Sequence, residues 1–388
     1  MSIGRVFAVK PRAQRAARMQ TTRGAMPTRF NDSRFLLHNL IQRVRDSHLR
    51  PFGCVLILAS LNGLLPVFLS ASEPEDLSVM TWNLEWFFDD LPGDNYSELA
   101  KEKTAPDRTL WAWKRDAVAN SIAKANPTIV AVQEVENRRV LWYLTRALDR
   151  DFSSQYEEIC LEGRDHFTEQ DVGFLYRKPA DLILQTQFNR SLATQKGDTY
   201  YDVSKHVMAV FEFPLGNDMV ERVTLLNVHL RASAEAMPLR IRQARLLVQW
   251  IGGAIRNGEN VILLGDLNTE ETGDRMKPNS DMGVATGLET KSKEDDLVDL
   301  HRFLNKQSGQ THMIKGKQFD RIMVSRSLIE DTPRVPDLVF KSIRVYPELS
   351  IQGSLDDPEK HWEGYWDLPS SERDISDHFP VIATFEVK

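Results

Sequence analysis

The chain has 388 residues, of which 41% are hydrophobic and 27% are charged, so a packed globular core is expected. Two cysteines, Cys54 and Cys160, exclude a fold that is held together by a disulfide framework. The net charge of −6 hides an asymmetry. Residues 1–72 contain 11 Lys/Arg and two Asp, a net of +9, whereas the rest contains 38 basic and 53 acidic side chains, a net of −15. A surface this acidic repels polyanions at long range unless cations intervene.

The first 72 residues have the composition of a targeting segment. Residues 1–50 are rich in Arg, Gln, Ser and Thr without sustained periodicity, which predicts a basic, disordered leader. Residues 51–72 carry no charge and end in three small residues, which is typical of an export signal or a membrane anchor. The positive-inside rule then predicts that everything after residue 72 is exported: secreted, periplasmic or tethered to the outside of a membrane. The alternative is a buried helix with a basic tail.

From residue 76 onward, strand and helix patterns alternate without a linker or an internal repeat, which predicts one catalytic domain over residues 76–388. Strand patterns cover residues 77–84, 128–134, 155–160, 171–177, 206–213, 222–230, 260–264, 318–324, 340–346 and 379–386. Helical patterns cover residues 107–126, 137–149 and 237–256. Roughly ten strands with helices between them favour an α/β (α+β) fold, in which two sheets pack face to face and helices cover both outer sides.

Polar side chains of a few types recur where the apolar strands end. They are Asn83, Glu134, Asn227, His229, Asp266, Asn268, Asp377 and His378. Strand ends on one side of a sheet converge in space, so residues distant in sequence can share one pocket. Carboxylates among amides and imidazoles suit a hard divalent cation, which lowers the pKa of bound water and neutralises charge on a phosphoryl group.

Five short segments carry these residues, and together with a sixth segment they resemble the motifs of the endonuclease/exonuclease/phosphatase superfamily. The segments are TWNLE at 81–85, VQEV at 132–135, NVHL at 227–230, GDLN at 265–268, FDRI at 319–322 and SDHFP at 376–380. They occur in the order typical of that family and span nearly the whole chain after the leader. The resemblance implies a four-layer sandwich of two mixed β-sheets flanked by helices, and a metal-dependent phosphoester hydrolase. It is specific for fold and chemistry but says little about the substrate.

The resemblance also implies which residues hold the metal. Glu134 is similar to the principal metal ligand of the family, with Asn83 and Asp377 completing or neighbouring the coordination shell. Mg²⁺ is the expected ion, and Mn²⁺ is the expected substitute.

Five further residues receive catalytic roles by the same resemblance. Asp266 resembles the carboxylate that orients or deprotonates the attacking water, and Asn268 resembles the side chain that holds a phosphate oxygen. His378 resembles the imidazole at the scissile phosphate, and Asp320 the carboxylate that fixes its tautomer. His229 is expected to donate to a phosphoryl oxygen as charge builds in the transition state.

Four other cationic or imidazole side chains have less support from the motifs. Arg231, two residues after His229, is a candidate phosphate contact, although a solvated surface arginine is equally expected at that position. His206, His301 and His312 belong to no motif, and we expect them to be structural.

Two positions bear on the substrate class. Abasic-site repair enzymes of this superfamily usually carry tyrosine where this chain has His229, and histidine resembles the deoxyribonucleases, sphingomyelinases and phosphoinositide phosphatases. Deoxyribonuclease-like members often have a basic residue two positions after the metal-binding glutamate, but this chain has Glu136 there. Arg138 and Arg139 are possible substitutes, although arginines on the first turn of a helix are usually solvated. The departure argues against tight binding of duplex nucleic acid.

The leading hypothesis is therefore an exported, low-specificity nuclease, with nucleic acid favoured over lipid as the phosphoester substrate. A sphingomyelinase-like phospholipase or a sugar or inositol phosphatase is the main alternative. For a phospholipase, Phe87, Phe88, Trp111 and Trp113 are candidates for a lipid-facing rim, although aromatic residues beside a helix more often belong to the core. A catalytically silent binding module is a remote third hypothesis, because it requires the loss of a catalytic residue and none of the motifs has lost one.

Overall fold

The structure is a computed structural model that describes residues 75–188, 202–272, 276–305, 308–353, 357–358 and 360–388. The predicted basic leader (1–50) and apolar segment (51–72) lie outside the described residues. Within the described residues, every helix is too short or too polar to cross a lipid bilayer.

Twelve strands and five α-helices make up the described part of the chain. The strands are β1 (Leu77–Phe87), β2 (Ile129–Val135), β3 (Glu157–Cys160), β4 (Asp171–Tyr176), β5 (Asp181–Thr186), β6 (His206–Gly216), β7 (Met219–His229), β8 (Asn260–Asp266), β9 (Val298–Asp299), β10 (Asp320–Val324), β11 (Leu338–Val345) and β12 (Val381–Val387). The helices are α1 (Glu98–Lys103), α2 (Arg108–Ala125), α3 (Arg138–Phe152), α4 (Met237–Arg256) and α5 (Asp281–Ala285).

The strands form two six-stranded sheets of mixed direction, which confirms the predicted fold. The first sheet has the order β11-β12-β1-β2-β4-β3 and the second has the order β5-β6-β7-β8-β10-β9. In each sheet one central pair is parallel, β1 with β2 and β7 with β8, while the other neighbours are antiparallel.

Three apolar clusters separate four layers. The central cluster combines inward side chains of both sheets, for example Val79 with Leu225. A second cluster packs the outer face of the first sheet against α2 and α3, and a third packs the outer face of the second sheet against α4. Because successive strand residues point to opposite faces, strands that are buried on both sides read as continuous apolar runs. Each sheet is therefore buried on both faces, and only strand ends and edges are left for polar chemistry.

Local signals explain most of the helix boundaries. Asp107 caps α2 with its Oδ1, which accepts hydrogen bonds from the backbone N–H groups of the second and third residues of the helix. Asn126 ends the helix in the left-handed conformation. Asn137 caps α3 in the same way, and that helix runs to Phe152, three residues beyond its predicted end. The sequence pattern missed the edge strand β5, whose side chains are largely exposed, and the two-residue strand β9.

The parallel pairs bring the polar strand ends together. The carboxyl ends of β1 and β2 carry Asn83 and Glu134, and those of β7 and β8 carry His229 and Asp266. The approach of β8 to β7 is close at Gly265, whose φ is +132° and where an added Cβ would lie 2.0 Å from the carbonyl oxygen of Val228. Glycine is therefore required immediately before the carboxylate of the GDLN segment.

Asn227 has a different position from the one its strand-end pattern indicated. Its Nδ2 donates to the carbonyl oxygens of Val132 at 3.0 Å and Gly173 at 2.8 Å, and its Oδ1 accepts from Gln133 Nε2 at 2.7 Å. The side chain is fully buried between the two sheets. Asn227 thus ties the sheets together beneath the site instead of facing a ligand.

Candidate active site

The amide of Asn83 lies at the centre of the site. Its Nδ2 donates to Glu134 Oε1 at 3.1 Å and to Asp266 Oδ2 at 3.0 Å, and it lies 3.5 Å from His378 Nε2. Its Oδ1 accepts a hydrogen bond from the backbone N–H of Glu85 at 2.9 Å, which fixes the orientation of the amide. Asn83 therefore holds carboxylates from the two sheets at a fixed separation. Its nitrogen, and not the oxygen that a metal requires, faces Glu134.

Glu134, one residue before the end of β2, lies in the left-handed backbone region, with φ +59°. Its Oε2 accepts from the backbone N–H of Trp86 at 3.1 Å, and Trp86 itself has φ +50°. Such conformations cost on the order of 1–3 kcal/mol each in a non-glycine residue, so the surrounding bonds over-determine them. Burial, and then the charge of Asp377, raises the pKa of Glu134 to about 7. A nearby cation would stabilise its charged form.

His378 and Asp320 form a buried imidazole–carboxylate pair. Because a carboxylate only accepts, His378 Nδ1–H donates to Asp320 Oδ2 at 2.8 Å, which leaves Nε2 to face the site. That Nε2 lies 3.8 Å from both Asp266 Oδ2 and Asp377 Oδ1. Burial opposes protonation, but the three carboxylates, Asp320 foremost, raise the pKa of His378 well above its usual value. His378 is therefore a charged donor at neutral pH.

His229 has the opposite character. Its Nε2 lies 3.5 Å from Asp266 Oδ2 and 3.9 Å from Glu134 Oε1. Burial, and then the positive charge of Lys205, lowers the pKa of His229 to about 3. This imidazole is neutral at neutral pH, so it contributes a dipole and not a charge.

The GDLN turn orients Asp266. The backbone N–H of Asn268 donates to Asp266 Oδ1 at 2.8 Å, in a turn that places Asn268 at φ +49°. Asn268 Nδ2 donates to the carbonyl oxygen of Leu230 at 3.1 Å, which leaves its second N–H for another acceptor. The two oxygens of Asp266 thus have different partners: Oδ1 is fixed by the turn, and Oδ2 faces Asn83 and the two imidazoles.

Asp377 is held by residues that the sequence analysis did not place in the site. Its backbone N–H donates to Glu85 Oε2 at 2.9 Å, and the same oxygen lies 3.0 Å from His361 Nε2. Burial opposes protonation of His361, but Glu85 raises its pKa to about 9, so the two form a buried ion pair. On its other side, Asp377 Oδ2 lies 3.1 Å from His312 Nε2. Glu85 belongs to the TWNLE segment and offered a signal, whereas no motif contains His312 or His361.

Lys205 is a second residue that the sequence did not reveal. Its backbone carbonyl accepts from the N–H of His229 at 3.2 Å, and its Nζ lies 3.1 Å from Asp165 Oδ2 and 3.0 Å from Gln170 Oε1. Lys205 is nearly buried, and its charge also acts on Glu134. It therefore connects the loop at 161–170 to the site.

The remaining predicted residues lie outside the hydrogen-bonded site. Arg231 has an exposed side chain, although its backbone carbonyl accepts from the buried Arg240 at 3.0 Å. His206 donates from Nδ1 to the carbonyl oxygen of Val203 and stacks on Trp250, so it is structural as expected. His301 is buried, and burial lowers its pKa well below the usual value. His312 is the exception, because it contacts Asp377.

The basic residues after Glu134 are engaged with acidic partners. Arg138 pairs with Glu158 at 3.0 Å, and Arg139 Nη2 lies 2.7 Å from Asp89 Oδ2. Glu136 is buried and its Oε2 accepts from the backbone N–H of Asp89 at 3.0 Å. Glu136 and Arg139 thus hold the loop after β1 in place, and neither arginine is positioned as an unpaired phosphate contact.

Three of the four aromatic residues suggested as a lipid-facing rim are buried. Phe87, Phe88 and Trp111 are buried, and Trp113 packs against Tyr365. Phe87 and Trp111 belong to the apolar cluster between the first sheet and the helices, and Trp113 is half-buried. That part of the phospholipase hypothesis is wrong.

Two exposed aromatic side chains lie on loops that are linked to the site through Lys205. Tyr96 is 89% exposed and Phe167 is 64% exposed. The two loops are joined because Glu169, two residues after Phe167, accepts a hydrogen bond from the backbone N–H of Tyr96 at 2.9 Å. Asp165 accepts a hydrogen bond from the backbone N–H of Phe167 at 3.0 Å, and it also pairs with Lys205. A groove of about 670 Å³ between these loops is lined by six carboxylates: Asp94, Glu136, Glu162, Asp165, Glu169 and Asp171.

The donor set fits a hard divalent cation. Glu134, His229 and Asp266 offer ligand atoms within 4.8 Å of one another, as do His312, Asp377 and His378. Asp377 Oδ1 is buried and accepts no hydrogen bond from any described residue. Carboxylate oxygens at one edge of a buried pocket are typical Mg²⁺ ligands.

Comparisons with known proteins agree with this geometry. A family model for the endonuclease/exonuclease/phosphatase family matches residues 80–378. The structure is similar to humanized D. rerio TDP2 with 14 mutations, at 15% identity over 80% of this chain and 99% of that one, with a TM-score of 0.50. It is also similar to the human Nocturnin catalytic domain with bound sulfate anion, at 14% identity over 81% and 94% of the chains, with a TM-score of 0.51. At these identities the likeness shows a shared fold.

No curated protein matches the sequence directly. The six motifs, the two mixed sheets and the family match establish that the chain belongs to the endonuclease/exonuclease/phosphatase family.

Proposed function

We propose that the protein is a divalent-metal-dependent phosphodiesterase that cleaves nucleic acid with little sequence preference. The observation that carries the proposal is the pair of imidazoles around Asp266. Asp320 keeps His378 charged, while burial keeps His229 neutral, and both face the same carboxylate oxygen. Groups whose surroundings push their pKa values apart are typical of acid–base catalysis.

Glu134 and Asp377 are the side chains that would hold the cation. Glu134 is a largely buried carboxylate with a raised pKa, and Asp377 has one oxygen that accepts no hydrogen bond from the described residues. When bound, the ion supplies Lewis-acid stabilisation of the phosphoryl charge. Asn83 keeps Glu134 and Asp266 apart, so that one carboxylate serves the ion and the other serves the water.

The chain's own residues divide the proton chemistry. Asp266 Oδ2 is the base that orients and deprotonates the attacking water, because Oδ1 is already fixed by the Asn268 N–H. His378 Nε2–H donates to a phosphoryl oxygen, and Asp320 holds the ring in the orientation this requires. His229, whose Nε2 faces the same Oδ2 of Asp266, contributes a neutral donor.

Nucleic acid is the substrate class that the surroundings support best. Extended contact with a phosphate backbone is not expected, because the groove between the loops is lined by six carboxylates and by Arg138 and Arg139, whose charges are paired with Glu158 and Asp89. Tyr96 and Phe167, however, present flat aromatic faces on which single-stranded bases stack without regard to sequence. We therefore favour single strands over duplexes, held locally at one or two phosphates.

We also propose that the catalytic domain acts outside the cytoplasm, since a +9 leader and an uncharged apolar segment precede it. Residues 1–76 fused to a reporter that is active only after export should give signal. A silent reporter, with the full-length protein found in the cytosolic fraction, contradicts export and leaves the chemistry untouched.

His378→Ala should lower kcat by roughly 10²–10⁴-fold, because a positioned proton donor contributes about that much. Asp320→Asn should also lower kcat, because it disturbs the tautomer and charge of His378, while the dissociation constant for Mg²⁺ stays near that of wild type. Glu134→Gln is the comparison variant and should weaken Mg²⁺ binding. If Asp320→Asn weakens it as much as Glu134→Gln does, the role assigned to Asp320 is wrong.

Hydrolysis should require a divalent cation, and the requirement should depend on pH. Glu134 has a pKa raised to about 7, so below pH 7 it is mostly protonated in the metal-free protein and a proton competes with the ion. The half-saturating Mg²⁺ concentration should therefore rise roughly tenfold per pH unit below pH 7 and level off above it. The same half-saturating concentration at pH 6 and pH 8, or full activity in excess chelator, contradicts this.

Tyr96→Ala and Phe167→Ala should each raise KM for a single-stranded oligonucleotide, since stacking contributes about 1–3 kcal/mol per base. Phe152→Ala is the control, because Phe152 is exposed at the far end of α3 from Glu134. The affinity should also fall only slightly with salt, by about two ion equivalents. Turnover of sphingomyelin vesicles without turnover of any nucleic acid would contradict the nuclease proposal and support the phospholipase hypothesis.

A further inference from the structure

His312 lies in the loop before β10, and the backbone of this loop pairs with the SDHFP segment. Met313 N–H donates to the carbonyl oxygen of Asp377 at 2.8 Å, and Phe379 N–H donates to that of Thr311 at 2.8 Å, so His312 and His378 face each other in an antiparallel bridge. The His312 side chain is 9% exposed. The position of the His312 ring is therefore set by backbone pairing to the segment that contains Asp377 and His378.

Hydrogen bonds also fix the tautomer of this ring. The backbone N–H of Ile314 donates to His312 Nδ1 at 2.9 Å, and a nitrogen that accepts a hydrogen bond does not carry a proton. The ring proton is therefore on Nε2, which donates to Asp377 Oδ2 at 3.1 Å. The ring centroid of His312 lies 5.1 Å from that of Phe319 and 4.6 Å from that of His378, whose ring is nearly perpendicular to it. These two neighbouring rings prevent the imidazole of His312 from turning.

This tautomer decides between two roles. His312, Asp377 and His378 offer ligand atoms within 4.8 Å of one another, which is the spacing of a cation site. Metal coordination requires a bare nitrogen lone pair, however, and the only nitrogen of His312 that faces Asp377 carries its proton. His312 is suited to donate a hydrogen bond to a ligand and is not suited to be one.

We propose that His312 is a positioning residue: its fixed Nε2–H donor holds Oδ2 of Asp377, so that Oδ1 of the same carboxylate is presented to the cation. The inference rests on the proposed function, since it assigns the cation to Glu134 and Asp377. Asp377 then has three constraints, namely Glu85 on its backbone, His312 on one oxygen and the ion on the other. Partners of this kind typically change metal affinity or activity by about 10–100-fold when removed.

The test measures Mn²⁺ affinity of the purified protein by water-proton relaxation, together with kcat at saturating metal. His312→Phe keeps the ring and removes the donor, and His312→Gln places an amide N–H near the position of Nε2. We expect His312→Phe to weaken Mn²⁺ binding by roughly 10–100-fold and His312→Gln to recover most of it. His206→Phe, at a buried histidine on the helix-facing side of the second sheet, controls for loss of stability and should bind Mn²⁺ as wild type does.

The outcomes separate the inference from the function beneath it. If wild type binds Mn²⁺ and His312→Phe binds it equally well, or if His312→Gln is as weak as His312→Phe, the positioning role is overturned. If wild type binds no divalent cation, the proposed function fails first. If wild type binds a second ion that both variants lose, His312 is a ligand and the inference is overturned.

A measurement on the unmodified protein covers the case in which His312→Phe does not fold. Long-range ¹H–¹⁵N correlation spectra report which ring nitrogen of each histidine is protonated. His312 should show a bare Nδ1 and a protonated Nε2 both with and without Mg²⁺. A protonated Nδ1 overturns the proposal.

Discussion

The structure depends on burying several carboxylates at the place where two sheets meet. Each ion taken out of water costs several kcal/mol unless hydrogen bonds and opposite charges compensate for it. Glu134 and Asp266 share the amide of Asn83, Asp320 is bound by His378, and Asp377 is bound through its backbone and one oxygen. These donors come from both sheets, so the sheets must pack in one register for the carboxylates to be satisfied. The left-handed backbone at Glu134 is a local cost of that arrangement.

The same crowding of charged groups gives two histidines of the site opposite shifts in pKa. Two imidazoles lie within 4 Å of the same Asp266 oxygen, yet His378 is backed by Asp320 and His229 is backed by Lys205 and apolar surroundings. A positively charged imidazole and a neutral imidazole thus face the same carboxylate oxygen. The Asp320–His378 pairing and the position of Lys205 therefore set the difference in charge between the two imidazoles.

Much of the fold and part of the site were predictable from the sequence, for physical reasons. Strands buried on both faces read as apolar runs, and a polar residue that interrupts such a run marks its end, which is how Asn83, Glu134 and Asp266 were found. The edge strand β5 was missed because its side chains are exposed and carry no alternation. Phe87 was a candidate for the lipid-facing rim, but the register shift between Asn83 and Phe87 in β1 turns it into the apolar cluster between the first sheet and the helices, which the sequence does not reveal.

Loop residues set the limit of sequence reasoning. His312 and Lys205 reach the site through backbone pairing between segments that are distant in the chain, namely 311–313 with 377–379 and Lys205 with His229. No periodicity or short spacing encodes such pairing. Asn227 shows the converse, because it has the pattern of a site residue but its hydrogen bonds go to the other sheet.

The central claim is that the edge between Glu134 and Asp377 is built for a divalent cation. Anomalous X-ray scattering from crystals soaked in Mn²⁺ tests it directly, because the signal locates the ion without reference to activity. The account predicts one principal peak in contact with the carboxylates of both Glu134 and Asp377. A protein that takes up no Mn²⁺, or takes it up only away from these two carboxylates, would contradict the account.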